Sequence, residues 1–143
     1  MKYYIVPFHS VRNDVEKIIN DNKDDFKRTF GDVNVDYDYF MNASLQGKAF
    51  VCMMFDKGIH GLAGFLLNEE ANAKNIEAEN VMFFVEKPYR GKKTKEFMKF
   101  CNESTQKIGA DKMTFTIKND AFGRILKMYG FKPEYTTWSI DFE

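Results

Sequence analysis

The chain opens on a period of two. Tyr3, Ile5 and Pro7 alternate with Tyr4, Val6 and Phe8, which predicts a strand over Met1–Phe8, and Pro7 puts its end at a sheet edge. The period then lengthens. Val15, Ile18, Ile19, Phe26 and Phe30 recur at helical spacing, with Asn13 as the expected N-cap, Glu16 as its capping-box partner and Gly31 as the stop. A shorter helix is expected from Asn34 to Gln46, ended by Gly47 and opening on the acidic, aromatic run Asp36-Tyr37-Asp38-Tyr39-Phe40. Two apolar runs, Ala49–Phe55 and Leu62–Leu67, flank Asp56-Lys57-Gly58 and read as a β-hairpin. Gly64 inside the second run predicts a bulge or a close backbone approach.

After a polar loop over Glu69–Asn75, the next strand is expected at Ile76–Val85. Its end, Val81-Met82-Phe83-Phe84-Val85, is apolar without alternation, so both faces should be buried. A loop at Pro88–Gly91 leads into a helix carrying Phe97, Phe100, Cys101 and Ile108 on one stripe and closing at Gly109. Lys112–Lys118 alternates as a strand. Asn119 then caps a last helix with Phe122, Ile125, Leu126 and Tyr129 at i, i+3, i+4 and i+7, ended by Gly130, and Phe131–Phe142 reads as a final strand. The expected order is β-α-α-β-β-β-α-β-α-β, an α/β domain with a mixed sheet and helices on both faces. No repeat, linker or low-complexity tract interrupts it, so 1–143 reads as a single domain.

Composition narrows the chemistry. Hydrophobic residues make up 44% and aromatics 16%, including 15 Phe, which supplies a core and argues against disorder. The 21 basic and 21 acidic residues cancel, so nucleic-acid binding through Lys87–Lys99 is the least favoured class. No apolar run reaches the ~20 residues that span a bilayer, and Met1–Phe8 is too short for a secretory leader. With Cys52 and Cys101 far apart in sequence and outside any CxxC, the expected setting is cytoplasmic and both cysteines read as small buried hydrophobes. His9 and His60 lack metal-ligand spacing, so no metal site is expected.

The chemistry concentrates where a buried strand meets a helix N-terminus, at Val85-Glu-Lys-Pro-Tyr-Arg90-Gly-Lys-Lys-Thr-Lys95. Unpaired N–H groups and the positive dipole end make such a terminus an anion site. Residues 86–99 hold six Lys/Arg and two Glu. Cations there oppose the dipole by ~0.3–1 kcal/mol each, a sign that a bound polyanion would reverse. A solvated basic face is the plainer reading of the same run.

Strand, then Val-x-x-Pro-x-Arg-Gly, then helix resembles the acetyl-CoA motif of the GNAT family of N-acetyltransferases. Asn119, Gly130-Phe131 and the upstream hairpin with Gly64-Phe65 extend the resemblance over most of the chain from Ala49. It implies acetyl-CoA as cosubstrate, with the main chain of Phe83, Phe84 and Val85 binding the pantetheine arm. The loop and first helical turn, Arg90, Gly91, Lys92, Lys93, Thr94 and Lys95, would bind the pyrophosphate, with Asn119 following on the next strand.

Lys93 and Lys95 stand where the family has small residues. They could bind phosphate as point charges or could block it. Leu126 stands where many members carry the Tyr that protonates the leaving thiolate, and Tyr129 on the same stripe could substitute. Glu79 matches the glutamate that serves as base in the histone-acetylating branch, and Glu77 shares its strand face. A carboxylate suits that task, because an amine must lose its proton before it attacks. With no nucleophile in evidence, direct attack of a small-molecule or protein amine on the thioester is the expected reaction. Asp36–Phe40 and Glu69-Glu70 would border the acceptor channel. The segment Asn119–Phe131 also resembles degenerate GNAT-like phage proteins, which implies the alternative of a non-catalytic binding or virion-associated protein with a protein partner.

Overall fold

The structure, a computed structural model, describes residues 1–29, 35–69, 75–116, 120–134 and 138–142. Its five strands are β1 (Lys2–Pro7), β2 (Ala49–Phe55), β3 (Ile59–Glu69), β4 (Ile76–Val85) and β5 (Lys112–Thr114). They lie side by side in chain order. The first three pairings are antiparallel and β4–β5 is parallel, so the sheet is mixed as expected. The helices are α1 (Arg12–Asp21), α2 (Lys23–Thr29), α3 (Tyr37–Leu45), α4 (Lys92–Lys107) and α5 (Asp120–Met128).

Side chains alternate across the strands, and each face of the sheet closes a separate core. On one face Cys52, Met54, Phe65, Phe83 and Val85 meet Phe97, Met98 and Cys101 of α4 and Phe122 and Leu126 of α5. On the other, Val51, Met53, Leu62, Met82 and Phe84 meet Phe8, Val15, Ile19, Phe26 and Phe40. Burying one such Phe contributes about 1.5–3 kcal/mol, so the two cores account for the aromatic-rich composition. Cys52 and Cys101 come together across the first core. Burial chiefly, then the hydrogen bond to Cys52, pushes the Cys101 thiol up.

Four expectations need correcting. The first long helix is two. Asn22 sits between α1 and α2, and its Nδ2 donates to the Ile18 carbonyl at 2.8 Å, an alternative to the helical ladder that Asn side chains offer. Asn13 is not the N-cap. Helix α1 already runs at Arg12, and Glu16 pairs with Arg12 at 3.0 Å instead. The cap that forms belongs to α3, where the Asp36 carboxylate accepts from the Tyr39 N–H at 3.1 Å.

Strand β5 stops at Thr114 rather than continuing to Lys118, because Phe115 turns into the core against Phe65, Phe83, Phe122 and Phe131. The final strand over Phe131–Phe142 does not form among the described residues. Trp138, Ile140 and Phe142 keep the alternation but stand 90%, 76% and 93% exposed, so no sheet or core face takes up the pattern. Phe30, Gly31, Asn34, Glu70, Ile117, Lys118 and Asn119 lie outside the described residues.

Candidate active site

Gly64 begins the site. The β3–β4 register passes from Gly64↔Met82 to Phe65↔Asn80, which leaves Val81 as one extra residue on β4, a β-bulge. A Cβ on Gly64 would lie 3.0 Å from Met82 Cγ and 3.2 Å from Val81 Cγ2, so a larger residue fits under the bulge only if the Met82 and Val81 side chains give way. Asn80 braces it, donating through Nδ2 to the carbonyls of Gly64 at 3.1 Å and Met82 at 2.8 Å.

The bulge separates two halves of β4. Glu77, Ala78 and Glu79 pair with Lys112, Met113 and Thr114, and among the described residues the β4–β5 ladder runs no further. Beyond it the two strands part. The Glu86 N–H donates to the His60 carbonyl at 2.8 Å. Antiparallel alternation therefore turns the main chain of Phe84 and Met82 toward β3, and that of Phe83 and Val85 toward the gap. Of the three residues expected to line a pantetheine arm, Phe84 faces the wrong way with its main chain.

From Val85 the chain passes through a 3-10 turn at Lys87–Tyr89 into α4. Gly91 is the N-cap, with φ 93° and ψ −119°, a region that L side chains avoid. No side chain caps α4, and its first turn contains no acid. Lys92 and Lys95 are exposed, and Lys93 is half-buried. Thr94 is 6% exposed, and its Oγ1 is buried without a hydrogen-bond partner. An orphaned hydroxyl costs roughly 1–3 kcal/mol, so a buried one beside uncapped N–H groups suits a ligand that supplies acceptors. The sequence points to Thr94 only through its main chain. Its being the one small polar side chain among lysines was the available signal for more.

Arg90 works inside the protein. Its Nε donates to the Val85 carbonyl at 2.9 Å and its guanidinium pairs with Asp25 of α2 at 2.7 Å, while its N–H reaches Lys87 O at 3.3 Å. The arginine thus ties the end of β4 to the helix on the opposite face, a role that spacing does not reveal because Asp25 is 65 residues away. His60 steadies the same turn. Its ring stacks on Tyr89 at 4.2 Å, with Nδ1 3.0 Å from Glu86 Oε2 and Nε2 2.7 Å from the Asp56 carbonyl. Burial pulls its pKa down, but the Glu86 carboxylate and the Asp56 carbonyl favour the protonated ring, and the net shift is upward.

The two candidate catalytic groups stand on opposite faces. Ala78 packs in the α4–α5 core, so its neighbour Glu79 projects to the α1–α3 face, where Asn68 Nδ2 donates to its Oε2 at 2.6 Å. Glu77 accepts from the Thr114 hydroxyl instead. Tyr129, just past α5, packs against the α4–α5 core, where burial raises its pKa. Leu126 is buried there as well. An open groove of about 430 Å³ lies between α1 and the β2–β3 turn, lined in part by Asp14, Lys17, Asp21 and Phe55, and it reaches the end of β4 only at Glu86. Among the described residues no cluster could hold a metal ion, and no helix is long and apolar enough to cross a membrane.

A mixed sheet that parts at a bulged β4, with a helix N-terminus at the end of that strand, is the fold of GNAT-type acetyltransferases. Solved structures agree over nearly the whole chain. An aminoglycoside acetyltransferase from an uncultured soil metagenomic sample superposes with a TM-score of 0.73 at 11% identity, covering 99% of this chain and 95% of its own. Ribosomal-protein-alanine N-acetyltransferase from Brucella melitensis biovar Abortus 2308 gives 0.70 at 12%, covering 99% and 100%. A predicted acetyltransferase from Clostridium acetobutylicum, solved with acetyl-CoA, gives 0.71 at 12%, covering 98% and 95%. No protein-family model matches the sequence, and no curated protein matches it.

Proposed function

We propose that the chain is an acetyl-CoA-dependent N-acetyltransferase that moves an acetyl group to an amine by direct attack on the thioester. One observation carries the reading. The β4–β5 ladder stops at Glu79 among the described residues while β4 runs on toward the N-terminus of α4, whose first turn has no side-chain cap, no acid, three lysines and the orphaned Thr94 hydroxyl. The residues suit a diphosphate there. The outward main chain of Val85 suits the amide-bearing arm that would follow it into the gap.

When bound, CoA would supply the activated acyl group, and this chain's residues would do the rest. Glu79, held by Asn68, accepts the proton of the incoming ammonium, directly or through water. Tyr129, on the α4–α5 side of the sheet, would hold a proton for the departing sulfur, and its raised pKa keeps the phenol protonated at neutral pH. The α4 N-terminus, Lys95 and, once drawn from Glu96, Lys93 would anchor the phosphates. The acceptor is a small-molecule or protein amine, in keeping with structural neighbours named for aminoglycosides, ribosomal-protein alanine and glucosamine-6-phosphate.

A second reading, a GNAT-shaped binding protein without turnover, draws on the same loop. Arg90 is committed to Val85 and Asp25, and Lys93 to Glu96. Glu79→Gln separates the two. As a general base Glu79 should contribute about 10²–10⁴-fold, so the variant should keep its acetyl-CoA affinity and lose turnover on an amine panel. Acetyl-CoA binding with no turnover by the parent on any amine favours the second reading, and turnover unchanged in Glu79→Gln removes Glu79 from the mechanism.

A further inference from the structure

One charged group in the first turns of α4 belongs to neither the fold's core nor the expected machinery. Glu96 follows Lys93 by three residues, and its Oε2 lies 3.2 Å from Lys93 Nζ. The same oxygen accepts from the Tyr3 hydroxyl of β1 at 3.0 Å. Tyr3 is itself held, stacked on Phe97 and Phe100 of α4 with ring centroids 6.1 Å and 5.5 Å away. The hydrogen bonds from Tyr3 and then Lys93 outweigh desolvation and lower the Glu96 pKa, so the group is a carboxylate at any neutral pH. Burial first, and then the bond to Glu96, pushes the Tyr3 phenol up to about 12.

A carboxylate so fixed has a consequence at the anion site. Lys93 is one of the two lysines standing where a small residue would leave the helix N–H groups open. Its ammonium is drawn back along α4 to Glu96, away from the N-terminus. An arriving anion must either do without Lys93 or draw it off Glu96. The stronger the charge it brings, the better it competes with Glu96 for the lysine.

We propose that Glu96, positioned by Tyr3, sets the affinity of the α4 anion site by holding Lys93 in a parked position from which an arriving anion must draw it. This rests on the CoA reading above. Glu96 acts through Lys93 and touches no reacting atom.

The test is calorimetric titration of CoA into the parent, Glu96→Gln, Lys93→Ala and the double variant. Glu96→Gln should tighten CoA by about two- to fivefold, the range an exposed ion pair spans. In the Lys93→Ala background the substitution should lose most of that effect. Equal tightening with and without Lys93 would mean a general loss of negative charge, and unchanged or weaker binding would mean no parking; either overturns the inference while leaving the CoA site standing. No binding of CoA by parent or variants overturns the CoA reading and this inference together.

Discussion

The two halves of β4 are one continuous strand with opposite surroundings. Ile76–Asn80 is held on both edges. Its N–H at Ile76 donates to Asp111 Oδ2 at 2.8 Å, Asp111 returns its own N–H to the Ile76 carbonyl at 2.7 Å, and the β5 ladder follows through Glu79. Val81–Val85 is held by β3 on one edge, while on the other the parallel partner has turned away into Phe115. The first half carries polar side chains in fixed pairs, Glu77 with Thr114 and Glu79 with Asn68. The second is almost wholly apolar and packs on both faces. The contrast teaches that this site is made by withdrawing a strand rather than by adding a pocket. Aromatic packing on both faces is what holds β4 in place after its neighbour leaves.

Removing that packing should break the contrast most severely. Phe83 lies in the parted half, with its ring 5.8 Å from Phe97, 6.0 Å from Phe115 and 5.5 Å from Phe122. Phe83→Ala should cost about 3–5 kcal/mol in urea unfolding, as large-to-small changes at buried Phe do. A loss below about 1 kcal/mol would mean that the parted half is not held by its faces.

Gly91 tests the other wall of the gap. Nothing lies within 4 Å of a Cβ built there, so Gly91→Ala meets no clash and pays only for a backbone at φ 93°. The expected cost is about 1–3 kcal/mol, together with weaker acetyl-CoA binding as the first turn of α4 shifts. Unfolding and titration measure the two parts. An alanine variant as stable as the parent would show that the turn does not need the glycine conformation.

The His60 clamp should give the smallest effect, and one that depends on pH. Its pKa is raised in the folded protein, so its contribution is full below the unfolded value and is lost as pH rises through the folded one. His60→Gln should therefore lower the melting temperature at pH 5.5 by no more than about 2–4 °C and hardly at all at pH 9. A larger loss at pH 9 than at pH 5.5 would reverse the assigned sign.

The same contrast explains what could be read in the sequence. Ile76–Val85 announced its own boundaries, because an unbroken apolar ending needs two buried faces. Gly64 leaves a bulge or a close backbone approach open, and the register beside it carries a bulge on the facing strand, at Val81 of β4. Pattern failed where a partner decides the outcome. Trp138, Ile140 and Phe142 alternate like a strand, yet alternation forms one only when another surface accepts it. Phe115 has the period of β5 and leaves it for the aromatic cluster. Arg90, Lys93 and Thr94 were legible as a loop. Their partners Asp25, Glu96 and the missing partner of the Thr94 hydroxyl depend on contacts and burial that spacing alone does not supply.

The central claim is that the parted end of β4 and the N-terminus of α4 form one ligand site. Titrating ¹⁵N-labelled protein with acetyl-CoA while following the amide resonances tests it most directly. The account predicts the largest shifts at Val85 and across Gly91–Lys95, with little change on α1 and the β2–β3 turn. Shifts confined to α1 and that turn, where the open groove lies, or no shifts at millimolar acetyl-CoA, would contradict it.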